Sequence, residues 1–255
     1  MDRRISVLLS LALCLGLWAC KSGPSSSDSD AAAMAERKAA HIEGLLVRRG
    51  LAAQALDDAL SALPDLVRMT EAAYDQGRIQ IKGRAPSNNL LADYVSRLGH
   101  TRSLMNLNLG GSVARAAGGR TWVEFSLQAE VRAPAFPSGP SGASAAGRLG
   151  ELEKSIAVKP DSAGTLRAIQ RLILEAGLQM TKFAPGAEAP GEFTTAMPVT
   201  IELSGDVSAV GRFLEEMAAL PELWVVDRFS LRAVSPDERR SPVRASITAR
   251  AYFGR

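Results

Sequence analysis

Two stretches of the chain show helical and strand-like spacing of apolar residues in the same order. The first stretch predicts helix, strand, strand, helix, strand and strand over residues 31–63, 66–74, 78–83, 90–98, 105–109 and 123–131. The second predicts the same six elements over residues 166–177, 178–183, 198–205, 210–220, 223–234 and 243–253. The repeated order indicates two copies of one αββαββ plan.

Glycine and proline mark where several of these elements end. Gly50 predicts a break or bend in the first helical stretch, because glycine costs about 1 kcal/mol in a helix interior, and Pro64 ends that stretch. Residues 75–77, Asp-Gln-Gly, predict a turn between two strands. Gly177 predicts a helix C-cap.

The repeated plan predicts the fold class. Each copy has four alternating strands and two amphipathic helices, and an antiparallel or mixed sheet with both helices on one face buries all six apolar stripes. We expect an α+β protein of two ferredoxin-like domains (αββαββ, permuted relative to βαββαβ) at residues 34–132 and 151–255. Residues 133–150 are rich in Pro, Gly, Ser and Ala, which predicts a flexible linker between them.

The N-terminus has the pattern of a bacterial export signal. Arg3 and Arg4 precede an almost purely apolar run at 5–17, which has the length of a secretory signal (about 7–15 residues) and is too short to span a membrane (about 20). Leu17-Trp18-Ala19-Cys20 resembles the lipobox of bacterial lipoproteins, with Trp18 where a small residue is usual.

The lipobox predicts how the N-terminus is processed. We expect a signal peptide at 1–19, lipidation of Cys20, and a disordered tether at 20–33, which is too polar to fold. The alternative is an ordinary secreted protein in which Cys20 happens to lie near the cleavage site. Lipidation would hold the protein on a membrane surface without crossing it.

Composition narrows the classes of function. The chain of 255 residues is 46% hydrophobic and 22% charged, as in globular proteins, and its net charge of +3 argues against a binder driven by nucleic-acid phosphates. It has two His and two Cys, and both Cys lie in the first twenty residues, so Cys and His cannot assemble a zinc site. We expect no metal, no cofactor and no structural disulfide.

Residues that imitate catalytic motifs have simpler interpretations. His41-Ile42-Glu43 has the H-x-E spacing of zinc deaminases but lacks the P-C-x-x-C that completes their site, which favours a solvated pair on a helix. His100 lies at a predicted helix end, which favours a cap over a base. Trp122 and Trp224 lie in predicted strands and favour packing over ligand binding. We therefore expect no catalytic residue.

The first half carries a motif before its second helix. A helix ending in Leu63-Pro64-Asp65 is followed by a strand and then by residues 77–88, GRIQIKGRAPSN. Over residues 51–132 this resembles the periplasmic part of the type IV pilus alignment protein PilN.

The second half carries a similar set of passages. Residues 166–177 are followed by Leu178, Phe183 and Pro185, and residues 197–205, MPVTIELSG, precede a helix that ends in Leu220-Pro221. Over residues 151–253 this resembles PilO, the companion alignment protein.

The resemblance implies a role in periplasmic assembly. PilN and PilO each carry a transmembrane helix that is not recognisable here, PilN's cytoplasmic docking segment is missing, and PilO's coiled coil is reduced at most to 148–158. We predict a non-enzymatic, lipid-anchored periplasmic scaffold of type IV pilus or type II secretion assembly. Its modules would pair with each other, as a homo- or heterodimer, or with platform proteins like PilN, PilO or PilP, and it would bind no nucleic acid.

Three questions stay open at this stage. Lys21 after Cys20 favours the outer membrane by the enteric sorting rule, whereas a pilus alignment partner fits the inner membrane. A small-ligand-binding lipoprotein is an alternative and predicts a closed apolar pocket between the domains. An acylphosphatase-type enzyme is another, with Arg84 and Asn88 as the only nearby candidates to bind a phosphate.

Overall fold

The computed structural model describes residues 26–117, 119–134, 145–156, 162–235 and 241–254. The helices over these residues are α1 (Ser26–Arg48), α2 (Leu51–Ser61), α3 (Asn88–Gly99), α4 (Ala145–Lys154), α5 (Ser162–Glu175) and α6 (Val207–Ala219). The strands are β1 (Arg68–Asp75), β2 (Arg78–Ala85), β3 (Leu104–Ala117), β4 (Arg120–Val131), β5 (Gln179–Pro185), β6 (Ala189–Pro190), β7 (Thr194–Gly205), β8 (Leu223–Ala233) and β9 (Val243–Gly254).

The glycine signals lie where the sequence predicts them. Gly50 separates α1 from α2 as the N-cap residue of α2. Gln76 and Gly77 have positive φ angles of 46° and 93° in the turn between β1 and β2. Gly177 has φ 71°, and the amides of Gly177 and Leu178 bond back to α5 carbonyls at 3.0 and 2.9 Å, which is a Schellman C-cap.

Two segments expected to be irregular contain helix. α1 begins at Ser26, so residues 26–30 are helical where an unfolded tether is expected, and residues 31–33 follow the predicted helix at 31–63 and not the tether. Three alanines at 31–33 favour helix, and Asp30 lies near the N-terminus, where the helix dipole favours a carboxylate. α4 begins at Ala145, inside the predicted linker at 133–150. The middle of that linker, 135–144, lies outside the described residues.

The two halves have the same strand order. The first half is ordered β3-β4-β2-β1 and the second β8-β9-β7-β5, and every pairing is antiparallel. The corresponding strands therefore occupy corresponding places, and only the short β6, beside β7, has no counterpart in the first half. The α+β class predicted from the sequence is confirmed.

The halves are joined in one sheet, which differs from the expected pair of separate domains. β1 pairs with β8, so that residues 71–75 lie opposite 228–232. Ala72 and Tyr74 on β1 and Phe229 and Leu231 on β8 point toward the same core and are 2% exposed or less. Separate sheets would expose these apolar positions at two strand edges, and pairing removes both edges.

One continuous core lies between this sheet and four helices. It includes α2, α3, α5 and α6 and the apolar side of every long strand, such as Ile79 and Ile81 on β2 and Leu127 on β4. The intervening residues on β2, Arg78, Gln80 and Lys82, are exposed or half-buried on the other side. The period of two in the sequence thus separates a helix-covered face from a polar face.

A smaller core holds α1 and α4 against the second half of the sheet. Ile42 and Leu45 of α1 and Leu152 of α4 pack with Leu223 and Tyr252. These strand residues alternate with Trp224 and Phe253, which belong to the larger core. β8 is therefore buried on both faces near its start, which explains its nearly continuous apolar run.

Candidate interaction surfaces

The junction between the halves shows how these modules associate. Tyr74 of β1 stacks on Phe229 of β8 with ring centroids 5.5 Å apart and an interplanar angle of 18°. The pair lies directly opposite in the β1–β8 register. Stacking of this kind adds about 0.5–1.5 kcal/mol to the burial of the two rings. The junction is thus an apolar, well-packed interface within one chain.

A helix pair reinforces the strand junction. α2 of the first half packs on α6 of the second, and a β-carbon built on Gly211 would lie 3.9 Å from Leu60 Cδ1, an ordinary van der Waals contact. A small residue on α6 therefore receives a leucine from α2. Strand pairing and helix packing together define the junction surface: the β1 edge and α2 on one side, and the β8 edge and α6 on the other.

Arg49 ties the start of the first half to the end of α6. Its guanidinium donates to the carbonyl oxygens of Leu220 and Glu222 just beyond that helix, where the last carbonyls lack helical partners. Burial lowers the pKa of Arg49, opposed by the nearby charge of Glu222. The arginine is a cationic C-cap supplied from the other half of the chain.

Asp227 is the buried carboxylate of this region. It lies at a bulge in β8, is 5% exposed, and accepts from Arg250 Nε at 2.6 Å and from Arg48 Nη2 at 3.3 Å. Its backbone carbonyl accepts from the amide of Gln76 at 2.9 Å. One residue thus contacts α1, β9 and the first hairpin of the other half.

Exposed ion pairs flank the junction on the polar face. Arg228 lies 3.5 Å from Asp75 and Arg232 lies 3.9 Å from Glu71, which also accepts from Lys82 at 3.2 Å. The arginines are mostly exposed, so these pairs contribute little free energy. They favour the observed register, because a one-residue shift would separate the opposite charges.

Among the described residues, the outermost strands β3 and β5 have a pairing partner on one side only. Apolar side chains are exposed beside both: Leu109 (43%) and Val113 (52%) on β3, and Leu174 (76%) on α5 next to β5. Phe183 on β5 is half-buried. These two edges are therefore exposed apolar surfaces of the sheet.

The polar face carries a cluster around Glu124. Its carboxylate accepts from Trp122 Nε1 at 3.3 Å, lies 3.4 Å from Arg115 Nε, and lies 3.2 Å from Arg84 Nη2. The Trp122 hydrogen bond, then Arg115 and Arg84, lower the pKa of Glu124. Arg84 also stacks over Trp122, 5.1 Å from the ring centroid.

This cluster bears on the acylphosphatase alternative. Arg84, the expected phosphate-binding arginine, pairs with a carboxylate and an indole, and Asn88 is exposed in the first turn of α3. A phosphate would have to displace Glu124 from Arg84. The arrangement is that of a cross-strand charge ladder.

The two histidines have structural partners. His41 Nε2 lies 3.1 Å from Thr194 Oγ1, while the adjacent Ile42 is fully buried. His100 is the C-cap residue of α3, and its Nδ1 donates to the Ser96 carbonyl at 2.6 Å. The described part of the chain contains no group of His, Cys, Asp and Glu that could bind a metal.

Buried aromatic residues serve the core. Trp224 is fully buried in the core, as its place in a predicted strand suggests. Tyr94 on α3 is also fully buried, and its hydroxyl donates to the Ala59 carbonyl of α2 at 3.0 Å. Burial raises the pKa of Tyr94 far above its ordinary value, so it remains a neutral donor.

The principal concavities are open surface grooves. One is lined by Ala73, Arg78, Gln80 and Asn106 on the polar face, and another by Glu202, Ser204, Arg232 and Arg244 further along that face. Between the halves, the described side chains of α2 and α6 pack together. Over these two helices, the described residues pack on one another instead of lining the closed apolar pocket expected of a small-ligand-binding lipoprotein.

The predicted lipidation site belongs to the part of the chain before the first described residue. Cys20 and the predicted signal peptide at 1–19 lie outside the described residues, so both stay predictions. Over the described ranges, none of the helices combines the length and apolar character needed to cross a bilayer.

The two halves match two different families. Residues 161–253 match the family model described as the type IVa pilus alignment subcomplex PilO C-terminal domain, and residues 54–131 match that described as the fimbrial assembly protein PilN. The resemblance found from the residues is confirmed. The chain therefore carries a PilN-family segment followed by a PilO-family segment.

Solved structures of PilO are similar to this chain. The type 4 fimbrial biogenesis protein PilO from Pseudomonas aeruginosa is 23% identical, with a TM-score of 0.37, covering 44% of this chain and 87% of that one. The core region of PilO from the same organism is 25% identical, with a TM-score of 0.34, covering 38% and 95%. No curated protein matches the chain.

Sequence reasoning missed the residues that build the junction. Tyr74 and Phe229 were assigned to strands, but periodicity does not reveal which strands pair across the two halves. Asp227 had a detectable signal, because it and Arg228 are the two charges that interrupt the apolar run 223–229, LWVVDRF. A buried charge in such a run requires partners, and Arg48 and Arg250 supply them.

Proposed function

We propose that this protein is a non-enzymatic scaffold of a type IV pilus alignment subcomplex, facing the periplasm and anchored to a membrane through a lipid on Cys20. The observation that carries the proposal is that one chain joins a PilN-family and a PilO-family segment through a strand pair. Joining both on one chain fixes their ratio and relative orientation. Each half is proposed to be a permuted ferredoxin-like module, which its strand order supports.

A scaffold requires surfaces for partners. The free β3 and β5 edges, with Leu109 and Leu174 exposed beside them, can accept further modules by strand addition and helix packing. PilN-, PilO- and PilP-like platform proteins are the proposed partners of the resulting assembly. Charged side chains of the polar face such as Lys82, Arg84 and Arg228 pair within the chain, which fits a structural role.

Affinity purification from native membranes tests the role. The tagged full chain, solubilised in mild detergent, is expected to enrich type IV pilus alignment components over an unrelated tagged lipoprotein. Enrichment of type II secretion platform proteins alone would assign the scaffold to that machine. Enrichment of neither would refute the proposal.

The anchor has its own matched test. Metabolic labelling with a palmitate analogue should label the wild-type chain and the Cys14→Ser variant, because Cys14 lies in the predicted signal peptide. Cys20→Ser should abolish the label and release the protein from membranes. Undiminished labelling of Cys20→Ser would refute lipidation at this residue, and fractionation of the labelled chain would show which membrane holds it.

A further inference from the structure

The two free edges of the sheet correspond to the two edges that pair inside the chain. In the shared strand order, β5 occupies in the second half the place that β1 occupies in the first, and β3 corresponds in the same way to β8. β1 and β8 form the internal junction. Each molecule therefore retains one free edge of each kind.

The apolar residues along the free strands β5 and β3 lie at positions equivalent to those of the junction residues on β1 and β8. Phe183 lies opposite Ile201 as Tyr74 lies opposite Ile79, and each isoleucine lies four residues before a glycine, Gly205 in β7 and Gly83 in β2. On the other side, Leu109 opposes Leu127 of β4 as Leu231 opposes Ala245 of β9. Leu231 is 1% exposed within the junction, whereas Leu109 is 43% exposed at the free edge.

The helices beside the edges correspond as well. Buried residues follow the same spacing in the two halves. They are Ala55, Ala59 and Ala62 in the first half and Ile169, Ile173 and Ala176 in the second. This alignment places Leu174 at the position of Leu60. Leu60 is packed against Gly211, and Leu174 is 76% exposed.

The recipient helix has a matching small residue. The side chains of Ser87 and Asp206 cap α3 and α6, and counting from these caps places Ala92 at the position of Gly211. Ala92 is exposed, as a recipient of Leu174 would have to be. Lys182, the exposed charge on β5, lies 3.2 Å from Glu202 and so carries a counter-charge.

We propose that the β5–α5 edge of one copy docks on the β3–α3 edge of a second copy, in the head-to-tail arrangement that already joins the two halves. The occupant of each free edge is thus another copy of this chain. Phe183 would pack beside Leu107 and Leu109, and Leu174 would lie on Ala92. Because each copy keeps one edge of each kind, such association continues into a ring or a filament.

Sedimentation of the purified full chain in mild detergent tests this association. The wild type should form species larger than a dimer as its concentration rises. Leu174→Asp should weaken association by about tenfold to a hundredfold, because a buried leucine is replaced by a charge, with an unchanged melting temperature. Met34→Asp is the matched control, since Met34 is an exposed apolar residue on α1 (47%), and it should associate like the wild type.

A mixing experiment tests the head-to-tail geometry. Leu174→Asp weakens one edge and Ala92→Asp the other, so at concentrations at which the wild type forms its larger species each variant alone should be mostly monomeric, while an equimolar mixture should form dimers that do not grow. The proposal would be overturned if the wild type stayed monomeric, if Leu174→Asp left the association unchanged, or if the equimolar mixture stayed monomeric. Only the purified chain is present, so failure here leaves the pilus assignment untouched.

Discussion

Replacing Asp227 tests how α1 is held against the second half of the sheet. Asp227→Asn keeps the shape of the side chain but removes the charge that faces Arg250 at 2.6 Å and Arg48 at 3.3 Å. Breaking a fully buried ion pair costs about 3–5 kcal/mol. Here the two arginine side chains are 38% and 39% exposed, so water reaches the unpaired guanidinium groups. We therefore expect a loss of about 1–3 kcal/mol in the free energy of unfolding.

Urea denaturation monitored by tryptophan fluorescence measures this loss, since Trp224 is buried nearby on the same strand. Asp75→Asn is the matched control, because Asp75 and its partner Arg228 are 59% and 65% exposed. The control should change stability by less than about 0.5 kcal/mol. A destabilisation by Asp227→Asn no larger than that of the control would refute the anchoring role assigned to this carboxylate.

Three further predictions concern packing and pH. Gly83→Val should destabilise the fold by about 2 kcal/mol or more, because a β-carbon at Gly83 would meet Phe125 Cζ at 2.5 Å; Gly111→Val, where no atom lies within 4 Å, should be milder in the same thermal melt. Tyr94→Phe should lower the free energy of unfolding by about 1 kcal/mol. Because burial raises the pKa of Tyr94 in the folded state, the tyrosine stabilises the fold fully below its unfolded pKa of about 10 and less above it. The wild type should therefore lose more stability than the variant between pH 9 and 11, and equal losses would contradict this. A double-mutant cycle of Tyr74→Leu and Phe229→Leu should give a coupling free energy of about 0.5–1.5 kcal/mol, and additive effects would mean that the rings do not interact.

Local signals in the sequence predicted the elements well. The order of the helices and strands that repeat in the two halves, the turn at 75–77 and the cap at Gly177 followed from periodicity and glycine placement, since these depend on neighbours along the chain; α4 and β6 lie outside the repeat and were not predicted. The start of α1 was missed because the polar residues at 26–30 outweighed the helix-forming alanines that follow.

The junction could not be predicted in the same way. Pairing of β1 with β8 depends on contact between Tyr74 and Phe229, which are far apart in sequence, and any apolar strand edge satisfies the same local pattern. The repeated order of elements suggested two equal, independent domains and therefore gave no indication that β1 pairs with β8. The family resemblance was found from motifs such as residues 77–88 and 197–205, which describe each half separately and leave their relative placement undetermined.

Hydrogen exchange of individual amides most directly tests whether the PilN-family and PilO-family segments form one sheet. The amides paired between 71–75 and 228–232 should open only with free energies close to that of global unfolding, as should those of β9 in the sheet interior. Exchange of these junction amides at the fast rates expected for the outward amides of β3 and β5 would contradict the account, because the halves would then be separate modules.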